Sequence, residues 1–99
     1  MISEDSIDKL KAINELSLRL HGSKEKHMEY VLKSMQHHAE EINDLFKSDN
    51  PHWSVETGDL MIHCMCMLIL NGYDLNEMFE TCRKRFLKKI GEELKKKKD

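Results

Sequence analysis

The chain reads as an all-α protein, a single domain built as a four-helix bundle. Three observations predict this. One proline and four glycines in 99 residues leave few places to break a helix. Leu, Lys, Glu and Met, which are good helix formers, dominate the sequence. Apolar residues recur at i, i+3, i+4 and i+7, and no stretch alternates as a half-buried strand would.

The first helix is predicted from about Ser3 to Leu20, with Ile7, Leu10, Ile13, Leu16 and Leu20 at helical spacing. His21-Gly22 ends it, and Ser23 supplies a side-chain oxygen to cap the next. The second runs from about Lys24 to Lys47, with an apolar stripe of Met28, Val31, Leu32, Met35, Ala39, Ile42 and Phe46. Ser-Asp-Asn-Pro at 48–51 is a loop. The third runs from about Ser54 to Leu70 and stops at Asn71-Gly72. It is apolar on nearly every face, which predicts a central position covered by its neighbours. Gly58 inside it costs about 1 kcal/mol of helix propensity relative to Ala, and close approach by another helix or a ligand is the expected return. The fourth begins at Asp74, where D-L-N-E offers a capping box between Asp74 and Glu77. Its stripe is Leu75, Met78, Phe79, Cys82, Phe86, Ile90 and Leu94.

The net charge of −2 conceals an asymmetry. Residues 83–99 hold nine Lys or Arg and three acids, a net of +6, which leaves −8 for residues 1–82. Such a basic end would suit phosphates or an anionic surface, while lysines near a helix C-terminus also complement the dipole. Cys64, Cys66 and Cys82 are odd in number and lie in apolar helical patterns, as reduced buried thiols of an intracellular protein do. The N-terminus lacks the apolar core of a signal peptide, and Leu60–Leu70 is short for a bilayer span. A cytoplasmic location is the expectation. A core this small favours association with a second copy.

The segment E-T-G-D raises the functional question. Glu56 and Asp59 share a face one turn apart at the head of an otherwise apolar helix, and unpaired charge is costly to bury. On the second helix Tyr30, His37, Glu41 and Asp44 form a stripe flanked by Lys33 and Glu40. The short 48–53 connection predicts an antiparallel hairpin, which brings Glu41 and Asp44 toward Glu56 and Asp59. Four converging carboxylates call for a hard divalent cation, Mg²⁺ first and Mn²⁺ as the alternative.

E-E-I-N-D at 40–44, E-T-G-D at 56–59 and N-G-Y-D-L-N-E-M-F at 71–79 resemble the MazG-like nucleoside triphosphate pyrophosphohydrolases, whose signature is E-E-x-x-E followed by E-x-x-D. The similarity covers about residues 24–91, leaving 92–99 as a basic tail. The resemblance implies an all-α fold assembled as a homodimer or homotetramer. It also implies Mg²⁺-dependent cleavage of an NTP or dNTP between the α and β phosphates, giving the monophosphate and pyrophosphate. The family's metal positions fall on Glu41, Asp44, Glu56 and Asp59. The chain departs from the pattern with Asp at 44 where Glu is usual, a short gap at 45–55, and Arg83-Lys84 where an Asn-Asp pair is usual.

Other residues have two readings each. Glu40 suits a general base for the attacking water or a solvated surface. His63 suits a nucleotide contact or a core hydrogen bond, and His37 lies on the acidic stripe within reach of a phosphate. Trp53 suits stacking on a nucleobase or a staple at the start of the third helix. Lys33, Arg83, Lys84 and Arg85 would offset triphosphate charge or form a solvated basic face. A zinc site from His63, Cys64 and Cys66 is disfavoured by helical geometry, because Cys64 points away from His63. Two other functional classes compete with the hydrolase. One is a catalytically silent helical module for dimerisation or partner binding. The other is a nucleic-acid binder using the basic C-terminal helix, opposed by the acidity of residues 1–82.

Overall fold

A computed structural model describes residues 1–98; Asp99, the end of the predicted basic tail, lies outside the described residues. Four helices follow one another: α1 (Glu4–His21), α2 (Lys24–Lys47), α3 (Trp53–Leu70) and α4 (Leu75–Lys98). No strand occurs among the described residues.

Local chemistry explains each boundary. The Ser3 and Ser23 hydroxyls accept from the backbone N–H groups of Ser6 and Lys26, capping α1 and α2. Gly22, at φ +87°, ends α1 in the left-handed conformation that costs glycine little. The Asp74 carboxylate accepts from the Glu77 N–H at 2.9 Å at the start of α4. His52 stands at the α3 N-cap without a side-chain capping bond.

Helix α3 is central and packs against α1, α2 and α4. It is also the one described helix long and apolar enough by composition to cross a membrane. The main core gathers Leu10, Cys66 and Leu75, with Ile2, Ile7, Ile62, Met65, Leu68 and Ile69 around them. Asn14, buried on α1, donates through Nδ2 to the Cys66 carbonyl at 3.0 Å. Asn76 clasps the N-terminus, accepting from the Ile2 N–H and donating to the Ile2 carbonyl.

The inward faces match the apolar stripes only in part. On α1 the covered residues are Ile7, Leu10, Asn14, Ser17, Leu18 and His21, whereas Ile13, Leu16 and Leu20 are exposed. On α2 Met28, Val31, Met35 and Ile42 of the predicted stripe are covered, together with His27, Ser34, His38, Glu41 and Leu45, whereas Leu32, Ala39 and Phe46 are exposed. A seam with alternating steps of three and four runs through each set, at 7, 10, 14, 17 and 21 on α1 and at 27, 31, 34, 38, 41 and 45 on α2, the heptad spacing of packed helices. Polar members of each seam displace the covered face from the most apolar one.

Gly58 also departs from expectation. A Cβ added there would meet nothing within 4 Å, so no helix of this chain approaches it. The cost of the glycine is therefore uncompensated within the protomer.

Two stability measurements check this packing. Leu10→Ala, at a side chain 5% exposed, lowers the unfolding free energy by about 2–4 kcal/mol in urea titrations. Gly58→Ala raises it by about 0.5–1 kcal/mol at protein concentrations too low for association.

Candidate metal centre

The α2–α3 hairpin brings a histidine, a glutamate and an aspartate together. His38 Nδ1 lies 2.5 Å from Glu56 Oε2. Their side chains are 17% and 18% exposed, so the contact is largely withdrawn from water. Asp59, one turn after Glu56, completes a group whose donor atoms all lie within 4.8 Å of one another. Among the described residues this is the group of three or more His, Cys, Asp or Glu side chains close enough to share a cation. No lysine or arginine forms an ion pair with any of the three among the described residues.

Helical spacing positions each member. His38 belongs to the α2 seam one turn before Glu41, which is half-buried on the same face. Glu41 Oε1 lies 3.7 Å from His37 Nε2. Asp44 and Glu40 are exposed. Of the four carboxylates expected to converge, the structure brings Glu56 and Asp59 into the cluster. Glu41 stands on the seam beside it, and Asp44 is left in solvent.

His38 is the residue that sequence reasoning missed. The signal was the step pattern His27, Val31, Ser34, His38, Glu41, Leu45, four of its six members polar and so invisible to a count of apolar residues. His37, in contrast, is exposed.

A file of rings extends from the cluster along the seam. His63 lies 5.3 Å from the His38 ring and 6.3 Å from the Tyr30 ring. Tyr30 in turn stands 4.5 Å from His21, which stacks on His27 at 5.1 Å. Burial, then repulsion from His38, pushes the His63 pKa below its ordinary value, against the opposing pull of Asp59. A neutral His63 offers a substrate hydrogen bonding rather than positive charge.

The remaining candidates lie elsewhere. Trp53 packs edge-on against Phe46 with centroids 5.4 Å apart, the geometry of a staple between α3 and α2. Lys33 is exposed. Arg83 donates to the Glu80 carboxylate one turn earlier on α4, and that bond lowers the Glu80 pKa and raises that of Arg83. Burial pushes the Cys66 thiol above its ordinary value, and its Sγ faces the Leu10 carbonyl at 3.7 Å. It is a packing thiol with no thiolate to offer zinc.

Comparison with protein families, with curated proteins and with solved structures finds no match to this chain.

The other end of the file gives a pH prediction. Burial first, then repulsion from His21 and His63, lowers the His27 pKa, and its Nδ1 stands 3.0 Å from His21 Nδ1. The unfolded chain therefore takes up this proton more readily than the folded one. The contribution of neutral His27 is complete above the unfolded value of about 6.5 and is lost as pH falls through it toward the lower folded value. Thermal unfolding followed by circular dichroism moves to lower temperature between pH 7.5 and pH 5.5, and His27→Gln flattens part of that slope.

Proposed function

We propose that the protein is a divalent-metal-dependent nucleotide pyrophosphohydrolase of the MazG-like kind, cleaving an NTP or dNTP to the monophosphate and pyrophosphate. One observation carries the reading. His38, Glu56 and Asp59 form a compact, partly desolvated donor group on a helical hairpin, at the E-x-x-D segment that resembles the family signature. The donor chemistry fits a divalent cation, because carboxylate oxygens and an imidazole nitrogen are groups that such ions take as ligands.

Glu56 and Asp59 hold the cation, joined by Glu41 from the adjoining turn of α2. The chemistry that Mg²⁺ or Mn²⁺ would supply there is polarisation of a phosphoryl oxygen and a lowered pKa for a bound water. Glu41, or the exposed Glu40 beside it, would take the proton of an attacking water. His63, neutral and half-buried, orients the substrate by hydrogen bonding. Arg83, freed from Glu80, or Lys33 offsets charge on the leaving pyrophosphate.

The active form is an assembly of identical copies, at least a homodimer. The chain exposes 7944 Å², about 2,000 Å² more than a compact monomer of 11.7 kDa. That excess is the size of a stable protein–protein interface. Its radius of gyration, 16.6 Å, exceeds the roughly 13 Å of a compact chain of this length. Beyond Leu75, α4 presents Phe79, Phe86, Leu87, Ile90 and Leu94 to solvent. The +6 of residues 83–99 complements the −8 of residues 1–82 in another copy. These faces equally suit an association module without catalysis, and nucleotide turnover separates the two.

Purified protein with Mg²⁺ or Mn²⁺ and a panel of NTPs and dNTPs releases pyrophosphate, and Asp59→Asn reduces release by at least a hundredfold with an unchanged far-UV spectrum. Survival of activity in that variant, or no turnover of any nucleotide, removes the hydrolase reading. In light scattering, Phe86→Asp with Leu87→Asp shifts the assembly to monomer.

A further inference from the structure

Helix α4 is held to the body only at its start. Leu75 is 4% exposed in the core, and Asn76 bonds twice to the Ile2 backbone, which fixes the direction in which α4 leaves α3. No helix other than α3 packs against it among the described residues. Among those residues no hydrogen bond or ion pair joins 81–98 to another helix. From Phe79 onward α4 is an arm about 30 Å long. Its apolar residues Phe79, Cys82, Phe86, Ile90 and Leu94 recur at steps of three and four and so form one stripe. With Leu87 beside them, all but Cys82 are more than half exposed.

The body carries a groove that matches the stripe. Ile2, Leu10, Ile13, Met61, Ile62 and Met65 line an open cleft of about 550 Å³ between α1 and α3. Leu16 and Leu20, exposed three and seven residues beyond Ile13, prolong its α1 wall by about two turns. Helices α1 and α3 together hold six Asp or Glu and three Lys or Arg, against a net of +6 on residues 83–99. Charge therefore directs the arm to the groove, whereas two α4 helices laid together would oppose like charges. Area favours the same arrangement. Pairing of α4 with α4 leaves the groove open, while exchange of arms covers stripe and groove together. The excess of about 2,000 Å² on each copy sums over two copies to about 4,000 Å², within the range of obligate dimers.

Resting on the assembly proposed above and not on its chemistry, we infer that α4 of one copy lies in the α1–α3 groove of a second. The second copy returns its own α4, so that two arms are exchanged about a two-fold axis.

Light scattering of the full-length protein at micromolar concentration gives the mass of a dimer. Ile13→Asp with Met61→Asp alters two exposed groove residues and raises the dimer dissociation constant at least a hundredfold with an unchanged far-UV spectrum. Phe86→Asp with Leu87→Asp on the arm has the same effect. An equimolar mixture of these two variants regains dimer mass, because the intact arm of the first meets the intact groove of the second. Isotope-filtered NMR of wild type, mixed from carbon-13-labelled and unlabelled copies, needs no variant. It shows Leu87, Ile90 and Leu94 methyls in contact with Ile13, Met61 or Met65 of the other copy. A groove variant that stays dimeric, a variant mixture that stays monomeric, or arm-to-arm contacts in the NMR overturns the exchange while the assembly survives. Wild type with the mass of a monomer overturns both, and pyrophosphate release measured alongside reports separately on the hydrolase.

Discussion

The bundle depends on one polar contact in its longest seam, the His38 imidazole against the Glu56 carboxylate between α2 and α3. Both groups are mostly covered, and a buried polar group without its partner costs about 1–3 kcal/mol. Sliding α2 by one turn along α3 would separate them, so the contact fixes the register of the hairpin. Asn14 does the same for α1 through its bond to the Cys66 carbonyl. The apolar core could not supply that selectivity. Only Leu10, Val31, Cys66 and Leu75 are buried hydrophobics among the described residues, and none of their side chains is completely enclosed. Polar groups specify the alignment, as single polar residues at seam positions do in coiled coils, and apolar burial supplies the bulk of the cohesion.

Helix limits were legible in the sequence because the signals that set them are local. Ser23 caps α2, Gly22 closes α1, and Asp74 starts α4, each through bonds spanning a few residues. The faces were less legible. Ile13, Leu16, Leu20, Leu32 and Phe46 satisfy every apolar criterion for a core and stand in solvent in the protomer. Hydrophobicity registers that a side chain must be covered, but it does not register by which chain. The seams carry Asn14, Ser17, His21, His27, Ser34, His38 and Glu41, and a wheel weighted by hydrophobicity turns such faces outward. The same rotation accounts for the candidate site. Turning α2 by about one residue brings His38 inward, keeps Glu41 on the edge and leaves Asp44 outside, while Glu56 and Asp59 on the less ambiguous α3 stay where the sequence put them.

The distribution of histidine follows from the same geometry. Five of the six stand in one file of ring contacts, from His27 and His21 through Tyr30 to His63, His38 and His37. The sixth, His52, lies against Glu56. Imidazole is half apolar body and half polar tip, so it can fill a helical seam that is neither dry nor open. A seam of leucines would have been more stable but would present no donor atoms. A seam of carboxylates would repel itself. The file ends at the two acids, with which no lysine or arginine forms an ion pair among the described residues.

Gly58 ties the site to assembly. A glycine in a helix interior is retained at a cost of about 1 kcal/mol, and here no atom outside its own helix lies where its side chain would be. On α3 the positions 58, 61, 62 and 65 follow at helical spacing. Met61, Ile62 and Met65 line an open groove of about 550 Å³ with Leu10 and Ile13 of α1. Gly58 continues that apolar face toward the start of α3, on the side away from Glu56. A helix of a second copy laid along the groove would pass closest at the residue without a side chain. In the proposed dimer, α3 then presents its acids to the ligand on one side and its smallest residue to the partner on the other, so that building the interface and holding the metal centre become demands on a single helix.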